Sequence, residues 1–522
     1  MDSCKKITKP ENFENHVIEY DLINTRISIK FIDAATGELI GRDGNLSVNI
    51  RFSGKDALKV VDISGLSKNV YKSMHGFFTF GVAPGEMPGP EDPFRFHLTA
   101  SVEGYFNSGK TFRISKEGNY FYELRMMDLA NLPEGVSKRE EQVFANSSGV
   151  VTEQKSVITP NNRSTLLIPE ACLFKDKNGQ VLTGTLMISL IHFSNVSEAC
   201  LMAYPGGLQA ISLSEDGRAN DLMFFPAGLN SVYIQDAAGR VAKTIEGELP
   251  LLSMYIPAQT SYFKEETGQY ENISNGDEIP LWFFENETGS WVQDTSSKVG
   301  VTGPGIYRVS SQIDHLSWFS WNWATERNFC SQAFKTKFIG NQSECDCYWV
   351  EIEMRNPHTS AFLMKKWMYV CDEKVHSLYD LPGGIPFEIR YNGYCNDRTS
   401  TEPEYQYSGL CNQESLEVTW QDHDPGAGVS VQVLAHCPNE PGIEIHPDYG
   451  VWYRKANDWC WKWISTQQGQ AEICGLELGR DYIMAFVYHD YYKEFVFTPQ
   501  YDAYVYQDIS LTDEVCSEIF GL

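Results

Sequence analysis

Ten of the thirteen cysteines in this 522-residue chain fall between Cys330 and Cys516, which confines most covalent cross-linking to the C-terminal end. Two more stand apart at Cys172 and Cys200, and the last is Cys4. Twelve is an even number, enough for six disulfides, and such bridges persist in oxidising compartments. The pattern therefore predicts a secreted or cell-surface protein stapled at one end. Cys172 and Cys200, isolated from the other ten and bracketing a strand pair, are expected to bridge each other; the pairing among the ten is left open. In Ser3-Cys4-Lys5-Lys6 the odd thiol precedes a polar tether, where a processed lipoprotein carries its acyl group. Cys4 is thus a candidate lipid anchor and the one expected link to a membrane.

The chain is too long for a single core, and domains of about 100 to 200 residues make three or four units the expectation. Lysine and arginine total 42 against 69 aspartates and glutamates, a net charge of -27. Such a surface repels nucleic acid and anionic lipid, so no nucleic-acid partner is expected. No stretch reaches the roughly 18 apolar residues that a spanning helix needs. Seven Asn-x-Ser/Thr triplets begin at Asn45, Asn146, Asn162, Asn195, Asn272, Asn286 and Asn341, which would suit a glycosylated ectodomain.

Apolar residues recur with a period of two. Ile27, Ile29 and Phe31 share one face of a strand, Leu46, Val48, Ile50 and Phe52 another, and Phe94, Phe96, Leu98 and Ala100 a third. The expected fold is all-β, a string of about four β-sandwich domains with a disulfide-rich C-terminal half. The divisions are a tether over 1–21, a sandwich over 22–136, a linker over 137–163, a middle sandwich region over 164–325, a Cys-rich β domain over 326–413 and a Cys-rich sandwich over 414–522. Ser137-Lys138-Arg139-Glu140 has the spacing of a helix capping box and opens the linker.

Asp33-Ala34-Ala35-Thr36-Gly37 with Ile40, and later Ala100 with Gly104-Tyr105, resemble the turn and late strand signals of the carboxypeptidase regulatory-like, transthyretin-type sandwich over about 24–131. In that family the domain is an accessory one, so the resemblance implies a fold and no catalytic residues. From Leu166 to Trp323 the order of segments, including Ile279-Pro280-Leu281-Trp282-Phe283-Phe284 and His315-Leu316-Ser317-Trp318, resembles the extracellular region of cartilage intermediate layer protein and related bacterial surface lipoproteins. It is more distantly similar to the netrin-receptor and ankyrin sandwich, where His-Phe-Ser before aromatics is a self-cleavage site. That resemblance makes His315 and Ser317 candidates for autolysis at Leu316–Ser317, with leucine where the family has phenylalanine.

Gly104 to Thr111 fits the letters of a phosphate-binding loop, yet Thr111-Phe112-Arg113-Ile114 alternates as a strand where that motif opens a helix. No His-Glu-x-x-His or zinc-knuckle spacing occurs, so neither metal nor cofactor is expected. Trp459, Trp461 and Trp463 alternate, and on a strand their rings would form one platform for a sugar or apolar ligand; packing of the indoles into a core is the competing account. The reading is a non-enzymatic extracellular or surface protein whose domains act as spacers and as binding modules for a glycan or a protein. The alternatives are an autoprocessing surface protein and an accessory subunit of a secreted hydrolase.

Overall fold

The computed structural model describes residues 16–20, 23–63, 65–213, 219–285, 288–303, 305–326, 328–330, 333–339, 347–394, 405–407, 415–419, 427–447, 450–488, 491–500, 503–513 and 516–517. Cys4 lies outside them. Nearly every element is a strand, and the sheets stack in pairs.

The alternation near the N-terminus builds a sandwich of two four-stranded sheets. One carries Thr25–Asp33, Phe77–Val82 and Gly118–Met126, the other Asn49–Ser53, Phe94–Ser101 and Ser108–Ile114. Ile27, Ile29 and Phe31 meet Ile50, Phe96, Leu98 and Phe112 between them, each fully buried large side chain contributing about 1.5–3 kcal/mol. Asp33 shapes the following turn by accepting the Ala35 and Thr36 amides on Oδ1 at 2.9 and 2.7 Å. Gly37 then takes a φ of 76° that a side chain would resist. The phosphate-loop letters form a hairpin, with Lys110 opposite Leu98 in an antiparallel strand pair.

The middle region stacks a seven-stranded sheet on a five-stranded one. Here the expected linker is corrected. Val136–Ala145 runs antiparallel to Gly184–Phe193 over its whole length, and Lys155–Ile158 pairs with Ser164–Ile168. The capping-box spacing misleads because the apolar residues that follow, Val143 and Ala145, repeat every two positions and face the core.

Beyond them a four-stranded sheet around Cys347–Arg355 faces a three-stranded one around Phe334–Ile339. The last sandwich sets the sheet containing Ala427–Cys437, Gln470–Leu476 and Ala503–Ser510 against one containing Gly450–Lys455 and Tyr482–Tyr488. Part of the expected tether is also a strand: His16–Tyr20 lies parallel to Glu440–Pro447 at the edge of that last sheet.

The all-β architecture of stacked sandwich units is as expected, and the units are also packed against one another. The middle region and the unit after it share one hydrophobic core, in which Leu186 and Phe338 belong to the same cluster. The first sandwich is covered from outside: Phe77 and Phe121 pack with Trp349, Trp452, Trp461 and Trp463. All nine residues of Thr25–Asp33 are therefore buried, the outward Ser28 and Lys30 included.

Disulfides join Cys347 to Cys371, which face each other across neighbouring strands, and Cys437 to Cys516. Cys330, Cys460 and Cys474 are disulfide-bonded as well. The expected Cys172–Cys200 bridge is not formed, and both are buried free thiols. Cys172 sits in the core between the middle sheets, whereas Cys200, on the short helix Glu198–Met202, belongs to a separate cluster outside them. Burial pushes the Cys172 thiol up to about 12, and Cys200 is shifted the same way for the same reason. Each acts as a small apolar filler.

Candidate functional site

The tryptophan platform is corrected by burial. Trp461 and Trp463 are each only 2% exposed, locked into the aromatic seam between the first and last sandwiches. Phe77 stacks on Trp452 at 4.2 Å and meets Trp461 edge-on at 5.4 Å, while the Trp349 indole donates to the Trp463 carbonyl. Trp459 precedes the strand Lys462–Ser465 and is 56% exposed, with its ring lying 3.6 Å from where a Gly37 side chain would begin. The three indoles do not make a common surface.

The exposed aromatic pair is Tyr504 and Tyr506, 57% and 52% exposed on Ala503–Ser510. Their alternation puts both rings on the solvent face of the last sheet, where Ser430 and Gln432 lie opposite them on Ala427–Cys437. The signal was present in Tyr504-Val505-Tyr506, an aromatic every second residue, but the Trp-rich segment carried the same pattern more loudly. The Tyr504 hydroxyl donates to Gln432 Oε1.

Beside Tyr504 opens a cleft of about 1210 Å³ between the first and last sandwiches. One wall is Asn24, Arg26 and Glu117 to Asn119; the other carries Gln432, Gln467, Gln468, Gln470 and Glu472. Arg26 spans the floor by donating to Ser465 Oγ at 3.2 Å. A glutamine side chain carries one carbonyl acceptor and two N–H donors, the complement of paired hydroxyls.

His315 and Ser317 are not arranged for an acyl shift. Ser317 Oγ donates to the Phe284 carbonyl at 2.7 Å, and His315 Nδ1 is held by Asp314 at 2.7 Å. Neither Leu316 nor Ser317 has a left-handed backbone. Among the described residues, no group of three His, Cys, Asp or Glu side chains is placed to hold a metal ion, and no helix is long and apolar enough to cross a membrane.

Two buried histidines should make the fold acid-sensitive. His97 lies against Gly289, where a side-chain carbon would come within 1.9 Å of its ring, and its Nδ1 meets Thr111 Oγ1 at 3.2 Å. His192 shares a buried network with Ser164 and Asn230. Burial pushes His97 down to about 3 and His192 down to about 4. The unfolded chain protonates these rings near pH 6.5 and the folded chain does not, so their contribution is intact above pH 6.5 and is lost as pH falls. At pH 5 each should cost about 2 kcal/mol. Thermal melts between pH 7 and 5 should show this slope, and a His97→Gln, His192→Gln variant should lose most of it; an unchanged slope would count against the assignment.

Neither a protein-family model nor a curated protein matches the chain. Among solved structures it is similar to a streptococcal ancillary pilin at 10% identity, over 46% of this chain and 93% of that one, with a TM-score of 0.15. The TIE protein of Bacillus anthracis overlaps at 9% identity over 81% and 73%, TM-score 0.15. BcpA, the major pilin subunit of Bacillus cereus, overlaps at 8% over 93% and 98%, TM-score 0.14. Superpositions at this level do not define a shared arrangement of strands.

Proposed function

We propose that this chain is a non-enzymatic extracellular protein that binds a glycan in the cleft beside Tyr504. One observation carries the reading: the exposed Tyr504, with the exposed Tyr506 two residues on along the same strand face, borders a wall of glutamines at an open junction between sandwiches. Rings of this kind stack on the apolar faces of sugars, and side-chain amides read hydroxyl pairs. A protein partner would want an apolar centre depleted of charge, which this wall lacks. Disulfides at Cys347–Cys371 and Cys437–Cys516 favour an oxidising, extracellular setting. The first sandwich, which supplies one wall of the cleft, is read as a carboxypeptidase regulatory-like accessory domain, supported by the Asp33 turn, and the middle region as a spacer of the cartilage intermediate layer protein type, supported by its segment order.

Screening the full chain on an array of immobilised neutral oligosaccharides tests the proposal. A Tyr504→Ala, Tyr506→Ala variant should lose about tenfold in affinity for the retained sugar, as the removal of two stacking rings implies. Trp459→Ala should bind as the parent does. Retention unaffected by loss of both tyrosines would refute the site.

A further inference from the structure

Next to the cleft lies a second cavity of about 390 Å³, and the two share Glu117, Gly118 and Asn119 as a common wall. Their chemistry differs. The second cavity is lined by aromatic rings and by basic side chains set beside Glu117 and Asp380: Lys110 sits 5.0 Å from the Tyr122 ring, Lys116 5.0 Å from the Tyr379 ring, and Arg113 3.8 Å from the Phe329 ring. Arg113 is paired with Asp380, and Lys365 with Glu351, Glu353 and Glu198. Lys116 differs, since among the described residues no carboxylate lies within ion-pair distance of it, and its hydrogen bond goes to the Tyr379 hydroxyl at 3.4 Å. Trp367, another wall residue, keeps its indole N–H buried with no acceptor among the described residues. On a chain of net charge -27, basic side chains gathered in a recess offer an anionic group a locally favourable place.

We infer that the ligand is an acidic oligosaccharide, with neutral rings in the cleft against Tyr504 and a ring carboxylate at Lys116, on the exposed rim of the second cavity. This inference rests on the glycan reading and names its ligand class. A carboxylate accepts charge-assisted hydrogen bonds from an ammonium, while the aromatic walls accept the ring that carries it.

Calorimetric titration of the full chain with matched probes decides it: tetramers of galacturonate, guluronate and hyaluronan, each beside its carboxyl-reduced neutral form. At least one acidic tetramer should bind about tenfold or more tighter than its neutral form, and that preference should shrink as salt rises from about 0.05 to 0.5 M. Lys116→Gln, a change at an exposed position, should bring the two forms to equal affinity. Equal affinities in the parent, both weakened by Tyr504→Ala, would overturn this inference and leave the glycan reading standing. Acid-dependent binding that Lys116→Gln abolishes and Tyr504→Ala does not touch would overturn the glycan cleft and with it the continuous site. If no probe binds, both fall.

Discussion

Glu123→Gln should destabilise the folded protein by about 3–5 kcal/mol, because it strands a buried ammonium. Lys30 and Glu123 are direct neighbours on parallel strands, with Nζ and Oε1 2.7 Å apart and side chains 1% and 5% exposed. Tyr394, from the unit that follows the middle region, donates to Glu123 at 2.6 Å and receives a hydrogen bond from Lys30, and the Trp461 carbonyl closes the cage from the last sandwich. Burial lowers the Lys30 pKa despite its partner. Burial also works against the Glu123 charge, yet Lys30 and Arg125 overcome it and hold that carboxyl below its ordinary range. Lys30→Met alone should cost a comparable amount. The double variant Lys30→Met, Glu123→Leu should cost far less than the two together, since it removes both desolvated charges and leaves Tyr394 the Trp461 carbonyl at 3.3 Å. Urea unfolding followed by tryptophan fluorescence measures all three. A double variant as damaged as the sum of the singles would show that the pair is no coupled unit.

Reduction should unlock the last two units while the first sandwich still holds. The Cys437–Cys516 bridge closes a loop of 79 residues and Cys347–Cys371 one of 24. On the chain-entropy account these stabilise by about 4.5 and about 3.4 kcal/mol. The first sandwich, over 22–136, has no cysteine. Scanning calorimetry with and without reductant should therefore split one broad transition into an early one from the disulfide-bearing units and a later one. Cys437→Ala, Cys516→Ala should reproduce the larger part of that shift. Melting indifferent to reductant, with the thiols shown to be free, would refute the idea.

Much of the architecture was legible because strand alternation is local. Ile27, Ile29 and Phe31 announce their face without reference to anything distant, and so do Phe94, Phe96 and Leu98; four stacked-sheet units follow from such segments. The hairpin at Lys110 was legible for the same reason. Alternation cannot say what lies beyond a strand's other face. Lys30 reads as a solvated lysine, yet Tyr394 and Trp461, more than 360 residues later in the chain, bury it.

The same limit governs the candidate site. Trp461 and Trp463 share a face as their spacing implies, but only the docking of the first sandwich turned that face into a seam and left Tyr504 and Tyr506 in the open. Spacing could not separate Cys172 and Cys200 into different clusters, nor recruit His16–Tyr20 to a sheet at the other end of the chain. By itself the sequence determined the class of strand, the faces that pair and the oxidised C-terminal half. Tertiary structure alone decided which of two equally apolar faces meets water, because that depends on contacts between segments hundreds of residues apart.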